Sequence, residues 1–246
     1  MFLQQPLVKS VGLALLLRMA FILALDTATE VCSVALFNNN QLLELTEIEE
    51  GNTHANMLTT LIQSVVKNAG ITLQQLDAVC VSMGPGSYTG LRVGVSTAKG
   101  LCYTLKKPLI AINTLQSLAQ LFINQNPTYT GLICPMIDAR RMEVFTAAYT
   151  INLQEVMATQ AVIVDSTSFA DLLTQKKVAF IGNGAAKCQQ TLMHANAQFY
   201  TAIKCSASGL GQLAYTKFCE NAFEDVAYFE PFYLKDFVAT TPKNKA

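Results

Sequence analysis

Phe21-Ile-Leu-Ala-Leu-Asp26, followed by Thr27-Ala-Thr-Glu30 and Cys32-Ser-Val-Ala-Leu-Phe37, sets the architecture of this 246-residue chain. The first run is short, apolar and closed by a carboxylate; the middle residues turn, and the last run returns in the β-branched and apolar pattern of a second strand. A β-hairpin is therefore predicted. Asn38-Asn-Asn40 turns again into Gln41–Glu50, whose alternating polar positions fit a third strand with one solvated face. The theme recurs in Gly131-Leu-Ile-Cys-Pro-Met-Ile-Asp138, Ala139-Arg-Arg141 and Met142–Thr150, so Asp26 and Asp138 occupy equivalent places in a duplicated unit.

Around the two hairpins, helical and strand periods alternate. Gly51-Asn-Thr53 starts a helix carrying Met57, Leu58, Leu61, Ile62, Val65 and Val66 at i, i+3/4 spacing. Strand Ala78–Ser82, a glycine-rich turn, a helix from about Gly90 to Leu105, strand Leu109–Ile112 and a helix from Thr114 follow. The second half continues with strand Ala161–Val164, helix Ser166–Leu173, strand Val178–Ile181, Gly182-Asn-Gly184, helix Ala185–His194 and a final helix Ser206–Asn221. Residues 1–18 read as an N-terminal extension or an over-read ahead of a start at Met19. Arg18 interrupts their apolar stretch and no Ala-x-Ala site follows, which opposes a signal peptide. We expect lobes at 19–115, carrying the partner-binding helices, and 116–246, with the last helix packing back on the first lobe.

Composition narrows the function. The chain has 51% hydrophobic residues and 17 basic against 17 acidic side chains, with no run of four or more Lys and Arg. Autonomous nucleic-acid binding needs clustered cations and is disfavoured. The seven cysteines form no CxxC pair and read as reduced core residues, and two distant histidines, His54 and His194, offer no metal-ligand spacing. No membrane span is predicted.

A hairpin-led α/β unit occurring twice, with Asp at each turn, resembles the two-lobed actin-like ATPase fold (ASKHA, RNase H-like), each lobe a mixed β-sheet with flanking helices. Gly84-Pro-Gly-Ser-Tyr-Thr-Gly-Leu-Arg-Val-Gly94 with Ala98-Lys-Gly-Leu101 resembles, more narrowly, the signature of the TsaB (YeaZ) family. Ile22–Thr29, Cys32–Leu36, Ile137–Arg141 with Glu143-Val144, Gly182-Asn-Gly184 and Pro231-Phe-Tyr-Leu-Lys235 match in the family's order. The resemblance implies a cytoplasmic, non-catalytic subunit of the bacterial machinery that transfers threonylcarbamoyl to adenosine 37 of ANN-decoding tRNAs. It implies a heterodimer with the catalytic paralogue TsaD, contact with the ATPase TsaE, dependence on TsaC for the activated substrate, self-association when alone, and tRNA contact only through the complex.

The residues themselves leave alternatives. Superfamily kinases carry Asp-x-Gly at the phosphate hairpin, whereas Asp26-Thr-Ala-Thr-Glu30 has Ala28 for the glycine and an added negative charge at Glu30. Asp26 and Thr27 are candidates either for residual phosphate contact or for turn stabilisation. Gly84, Gly86 and Ser87, with Arg92 or Lys99 adding charge, form either an anion nest or a packing turn. Asp138 and Arg140 either face the interlobe cleft toward a carboxylate or phosphate, or form a salt-bridged turn with Glu143. No cofactor is required on this reading, and ATP or ADP contact is expected to be weak and at the complex interface.

Partner binding is expected on the two helices, through His54, Met57, Leu58, Leu61 and Val65 on the first and Leu91, Val95, Ala98, Leu101 and Cys102 on the second, with the alternative that these are ordinary core. Two rival functions remain, a small-molecule kinase of the superfamily and an M22-type metallopeptidase homologue. The second lacks a partner histidine, since Leu58 stands one helical turn after His54.

Overall fold

A computed structural model describes residues 20–49 and 54–235, with His54 as backbone only. The N-terminal extension with its alternative start, the first helix's entry at 51–53 and the last eleven residues lie outside the described residues.

The first half runs β1 (Phe21–Asp26), β2 (Cys32–Asn38), β3 (Gln41–Ile48), α1 (His54–Asn68), β4 (Ala78–Gly84), α2 (Tyr88–Leu105) and β5 (Leu109–Asn113). The second runs α3 (Thr114–Gln125), β6 (Leu132–Asp138), β7 (Glu143–Tyr149), β8 (Glu155–Ile163), α4 (Ala170–Gln175), β9 (Val178–Ile181), α5 (Ala185–Cys188), β10 (Ala197–Tyr200) and α6 (Gly211–Cys219). One sheet is ordered β3-β2-β1-β4-β5 and the other β8-β7-β6-β9-β10. In both, the hairpin strands pair antiparallel and the last two strands add in parallel. This repeated hairpin-led mixed sheet with flanking helices is the two-lobed actin-like ATPase architecture.

Strand periodicity explains the layers, because successive side chains point to opposite faces of a sheet. Leu23, Leu25, Val79 and Val81 turn to one face, where α1 and α2 contribute Leu58, Leu61, Val65, Val95 and Ala98. Ile22, Ala24, Cys80 and Ile110 turn to the other, which Ala207, Leu210, Ala214 and Phe218 at α6 cover. α6 therefore packs on the first sheet although it follows the second in sequence. In the second sheet, Ile133, Ala179 and Ile181 meet α3 through Leu115, Leu118 and Phe122. The opposite face packs Cys134, Phe180, Ala185 and Cys188. The chain crosses between lobes at Asn113, whose Oδ1 accepts from the amides of Leu115 and Gln116 at 2.8 and 3.3 Å and starts α3 sharply.

Several boundaries differ from expectation, and local polar chemistry explains the main ones. The helix predicted at Ser166–Leu173 begins only at Ala170, since Asp165 Oδ1 accepts from the Thr167 amide and from the Thr167 and Ser168 hydroxyls, holding a turn in its place. Phe169 then adopts φ 63°. The helix predicted at Ala185–His194 lasts one turn, to Cys188, and β10 was not foreseen. The last helix is shorter than Ser206–Asn221: Ser206 Oγ accepts from Ser208 N at 3.1 Å and a 3-10 turn at Ala207–Gly209 precedes α6. β8 begins earlier than Ala161, at Glu155.

Candidate functional site

Both hairpin turns, the glycine-rich turn before α2 and the Gly182-Asn-Gly184 loop converge where the lobes meet. At the first hairpin, Asp26 is 1% exposed and Thr27 is fully enclosed, which corrects their candidacy as open phosphate contacts. Asp26 Oδ1 accepts from Ala28 N and from Ser82 Oγ, each at 3.0 Å, while Oδ2 has no partner among the described residues. Burial pushes this carboxyl up to about 6; the two hydrogen bonds oppose the shift and the Glu47 charge adds to it. Ser82 lies 3.4 Å from the Thr114 hydroxyl, which accepts from Gly84 N at 3.1 Å, so the carboxylate joins the glycine-rich turn to the start of α3.

The glycines of that turn have a structural occupation. A Cβ on Gly86 would overlap the Ala28 carbonyl, one on Gly90 the Thr27 carbonyl, and one on Gly94 the Thr27 hydroxyl. These positions recur every four residues and make a seam along α2 into which the hairpin backbone fits. Thr27 Oγ1 donates to Gly90 O at 2.7 Å and Ser87 N to Ala28 O at 2.7 Å. Ser87 itself caps α2, its Oγ accepting from Gly90 N at 3.3 Å. Gly84 has φ +120°, and its missing side chain admits the Phe232 carbonyl.

Arg92 and Lys99 do not reach this seam. The Arg92 guanidinium sits 4.4 Å from the Tyr88 ring centroid and its Nε donates to Tyr233 Oη at 3.4 Å. Lys99 Nζ donates to the carbonyls of Ala227 and Phe229 at 3.1 and 2.9 Å.

The duplicated hairpin is arranged differently. Asp138 is exposed and pairs with Lys187 of α5, not with Arg140 or Arg141. Glu143 pairs with Lys235, so the salt-bridged turn forms with cations other than those anticipated. Arg140 and Arg141 are exposed, both with positive φ, and the Arg140 amide donates to Asp138 Oδ1 at 2.7 Å. Asn183 spans the lobes: its Nδ2 donates to Glu30 at 2.8 Å and its Oδ1 accepts from Asp138 N at 3.0 Å. Asn183, Lys187, Ser82 and Tyr233 were not singled out from sequence; the Gly-Asn-Gly loop was the available signal for the first.

An actin-like fold implies an adenine nucleotide between the lobes, and the cleft residues here do not fit it. The carboxylate that would organise a magnesium shell is enclosed, the hairpin backbone occupies the space that the glycines leave, and Asn183 ties the cleft's two sides. Among the described residues, no group of three or more His, Cys, Asp or Glu is placed to hold a metal. His194 lies beyond the shortened α5, its Nδ1 accepting from Asn196 N at 3.1 Å.

The helical partner residues require a correction. Leu58, Leu61, Val65, Leu91, Val95, Ala98 and Cys102 are all at most 4% exposed and belong to the chain's own core. Met57 and Leu101 are half-buried, and the His54 side chain lies outside the described residues. Solvent-exposed positions include Thr59, Thr60, Gln63 and Lys67 on α1, and Thr89, Arg92, Ser96, Gly100, Tyr103 and Thr104 on α2, with Tyr103 83% exposed. Six of the seven cysteines are buried and all are free thiols. No described helix is long and apolar enough to cross a membrane.

Comparison with known proteins agrees with this geometry. A family model described as TsaD, tRNA N6-adenosine threonylcarbamoyltransferase, matches residues 49–244. The tRNA threonylcarbamoyladenosine biosynthesis protein TsaB of Escherichia coli strain K12 is 38% identical over 131 residues, 52% of this chain and 54% of that protein. Its Bacillus subtilis strain 168 counterpart is 30% identical over 176 residues, 70% of this chain and 74% of that protein. The match spans about half the length of the Escherichia coli relative and of the similarly named Haemophilus influenzae one. The solved structure of YeaZ from Pseudomonas aeruginosa superposes with a TM-score of 0.76 at 24% identity, covering 88% of this chain and 100% of that one, and so shares the fold. The motif order, the duplicated sheets and these relatives together place the chain in the TsaB (YeaZ) family.

Proposed function

We propose that the chain acts in tRNA threonylcarbamoyladenosine biosynthesis as a non-catalytic subunit that pairs with and supports a TsaD-type transferase. The observation that carries this reading is the enclosed first hairpin: the carboxylate of Asp26 is buried against Ala28 and Ser82, while both helices on that lobe keep a solvent face, mostly polar on α1 and including Arg92 and the 83% exposed Tyr103 on α2. A protein with its own catalytic centre would need a reactive group open to substrate, and Asp26 is not. On this reading the partner docks on the α1 and α2 solvent faces, the chain requires no cofactor of its own, and TsaE and TsaC act in the same assembly. Contact with ATP or ADP falls to exposed groups at the interface, such as Arg140. The tRNA is met through the complex, since 17 basic residues balance 17 acidic ones.

The test is threonylcarbamoyladenosine formation on unmodified tRNA with purified TsaC, TsaD and TsaE, with and without this chain. Modification only in its presence is the expected result. Equal modification in its absence overturns the proposal.

A further inference from the structure

The segment following α6 has a part in the fold that the family assignment does not supply. Residues 224–235 run antiparallel along α2. Glu224 N donates to Leu109 O at 2.9 Å beside the end of α2, Lys99 bonds the carbonyls of Ala227 and Phe229, Phe232 N donates to Met83 O at 2.8 Å, and the Tyr233 ring lies against that of Tyr88, tilted by 35° with centroids 4.8 Å apart. Lys235 then pairs with Glu143 on the second lobe. The segment thus ties α2, the glycine-rich turn and the second hairpin together.

Its apolar attachment is through half-buried side chains: Val226 and Phe229 pack against the first lobe's core. None of residues 224–235 is fully buried, in contrast to β4 beneath it, where Ala78, Val79, Cys80, Val81 and Ser82 have no exposure. An open groove of about 670 Å³ is lined by Val226 together with Cys102, Tyr103, Lys106 and Lys107 at the end of α2, so solvent reaches the edge of the segment where it begins. Local opening free energies are lowest where contacts are few, solvent-facing and largely polar.

We propose that residues 224–235 form a strap that lifts from α2 as one unit while both lobes stay folded. Docked, the strap holds Arg92 against Tyr88 and Tyr233 and fixes Lys99 on its carbonyls. Undocked, it frees both cations, seven residues apart on α2, and uncovers the glycine-rich turn at Gly84. The strap is therefore a switch on the edge of α2, and it stands independently of the partner proposed above.

Hydrogen exchange on the full chain tests this. The amides of Glu224 and Phe232 donate outside the segment, to Leu109 O and Met83 O, and are bonded only when it is in place, whereas those of Ala227, Tyr228 and Phe229 bond within it to Asp225. We expect the Glu224 and Phe232 amides to share one opening rate, far faster than those of β1 and β4. Tyr233→Ala and Lys99→Met should each accelerate both of them together by about two- to tenfold, the scale of losing one aromatic pair or one charged hydrogen bond, with β1 and β4 unchanged. Acceleration confined to residues next to each substitution would show independent fraying and overturn the strap. So would exchange as slow as that of β4, which would mean that the segment opens only with the whole protein.

Discussion

Gly94→Ala and Gly100→Ala make the same chemical change in the same helix, yet the structure gives them opposite signs. Exchanging glycine for alanine inside a helix ordinarily stabilises by about 0.5–1 kcal/mol, because the backbone loses freedom in the unfolded chain. At Gly100 a Cβ meets nothing within 4 Å, so that full gain is expected. At Gly94 the Cβ would overlap the Thr27 hydroxyl and come within 3.5 Å of Val81 Cγ2. Either the hairpin shifts from α2, at an overpacking cost of about 1–3 kcal/mol, or Thr27 rotates and gives up its buried bond to Gly90 O, at about 1–3 kcal/mol. Setting the helix gain of about 0.5–1 kcal/mol against one of these costs of about 1–3 kcal/mol leaves Gly94→Ala less stable than the parent by up to about 2.5 kcal/mol. Chemical denaturation of both variants beside the parent measures this directly, and at this chain length the two should straddle the parent in Tm by several degrees. Equal stabilisation by both substitutions would refute the seam and reopen the turn as a site for a ligand.

Asp26→Asn should stabilise the protein at pH 7.5 and make little difference near pH 4. The folded carboxyl is raised from 3.8 to about 6, so the native state binds the extra proton between those values and stability falls as pH climbs through them. The full penalty above pH 6 is about 3 kcal/mol as an upper bound, reduced in the variant because its amide nitrogen inherits the unpartnered position of Oδ2; denaturation midpoints across pH 4–8 check it. Asn183→Ala removes both hydrogen bonds that link Glu30 to the Asp138 amide and should cost about 1–3 kcal/mol, read as a lower denaturation midpoint. Leu58→Asp buries a charge in the core and should unfold the chain, visible in circular dichroism. Thr60→Arg and Ser96→Arg lie on solvent faces and should leave the melting curve within about 0.5 kcal/mol of the parent while abolishing co-elution with TsaD.

Elements whose cause is local were legible in the chain. The two hairpins show in the apolar runs that end at Asp26 and Asp138, and α2 shows in the capping Ser87 and the periodic positions after it. Asn113 marks the entry to α3 because its side chain accepts from the amides of Leu115 and Gln116. At one misjudged element a side chain competes for the backbone: Asp165 captures the residues that periodicity assigns to α4. The helical stripes on α1 and α2 were visible too, but a stripe shows only that one face is apolar. Leu58, Leu61 and Val95 turn that face inward, because the sheet beneath offers Leu23, Leu25 and Val81, and the solvent face is left to the remaining positions.

The candidate site divides in the same way. Residue identity alone revealed that the phosphate hairpin had lost its glycine and that no second histidine followed His54, because those chemistries depend on which groups are present. It could not reveal that Asp26 is sealed while Asp138, its counterpart in the repeat, is open. Nor could it show that the glycines serve the Thr27-Ala28 backbone, that Arg92 and Lys99 belong to a strap some 130 residues away, or that Asn183 bridges the lobes. Each of these is a contact between segments far apart in the chain, where solvent exclusion and the approach of a second backbone set a group's role. Spacing along the sequence carries information about a single helix or hairpin; it carries none about which distant surface closes over it.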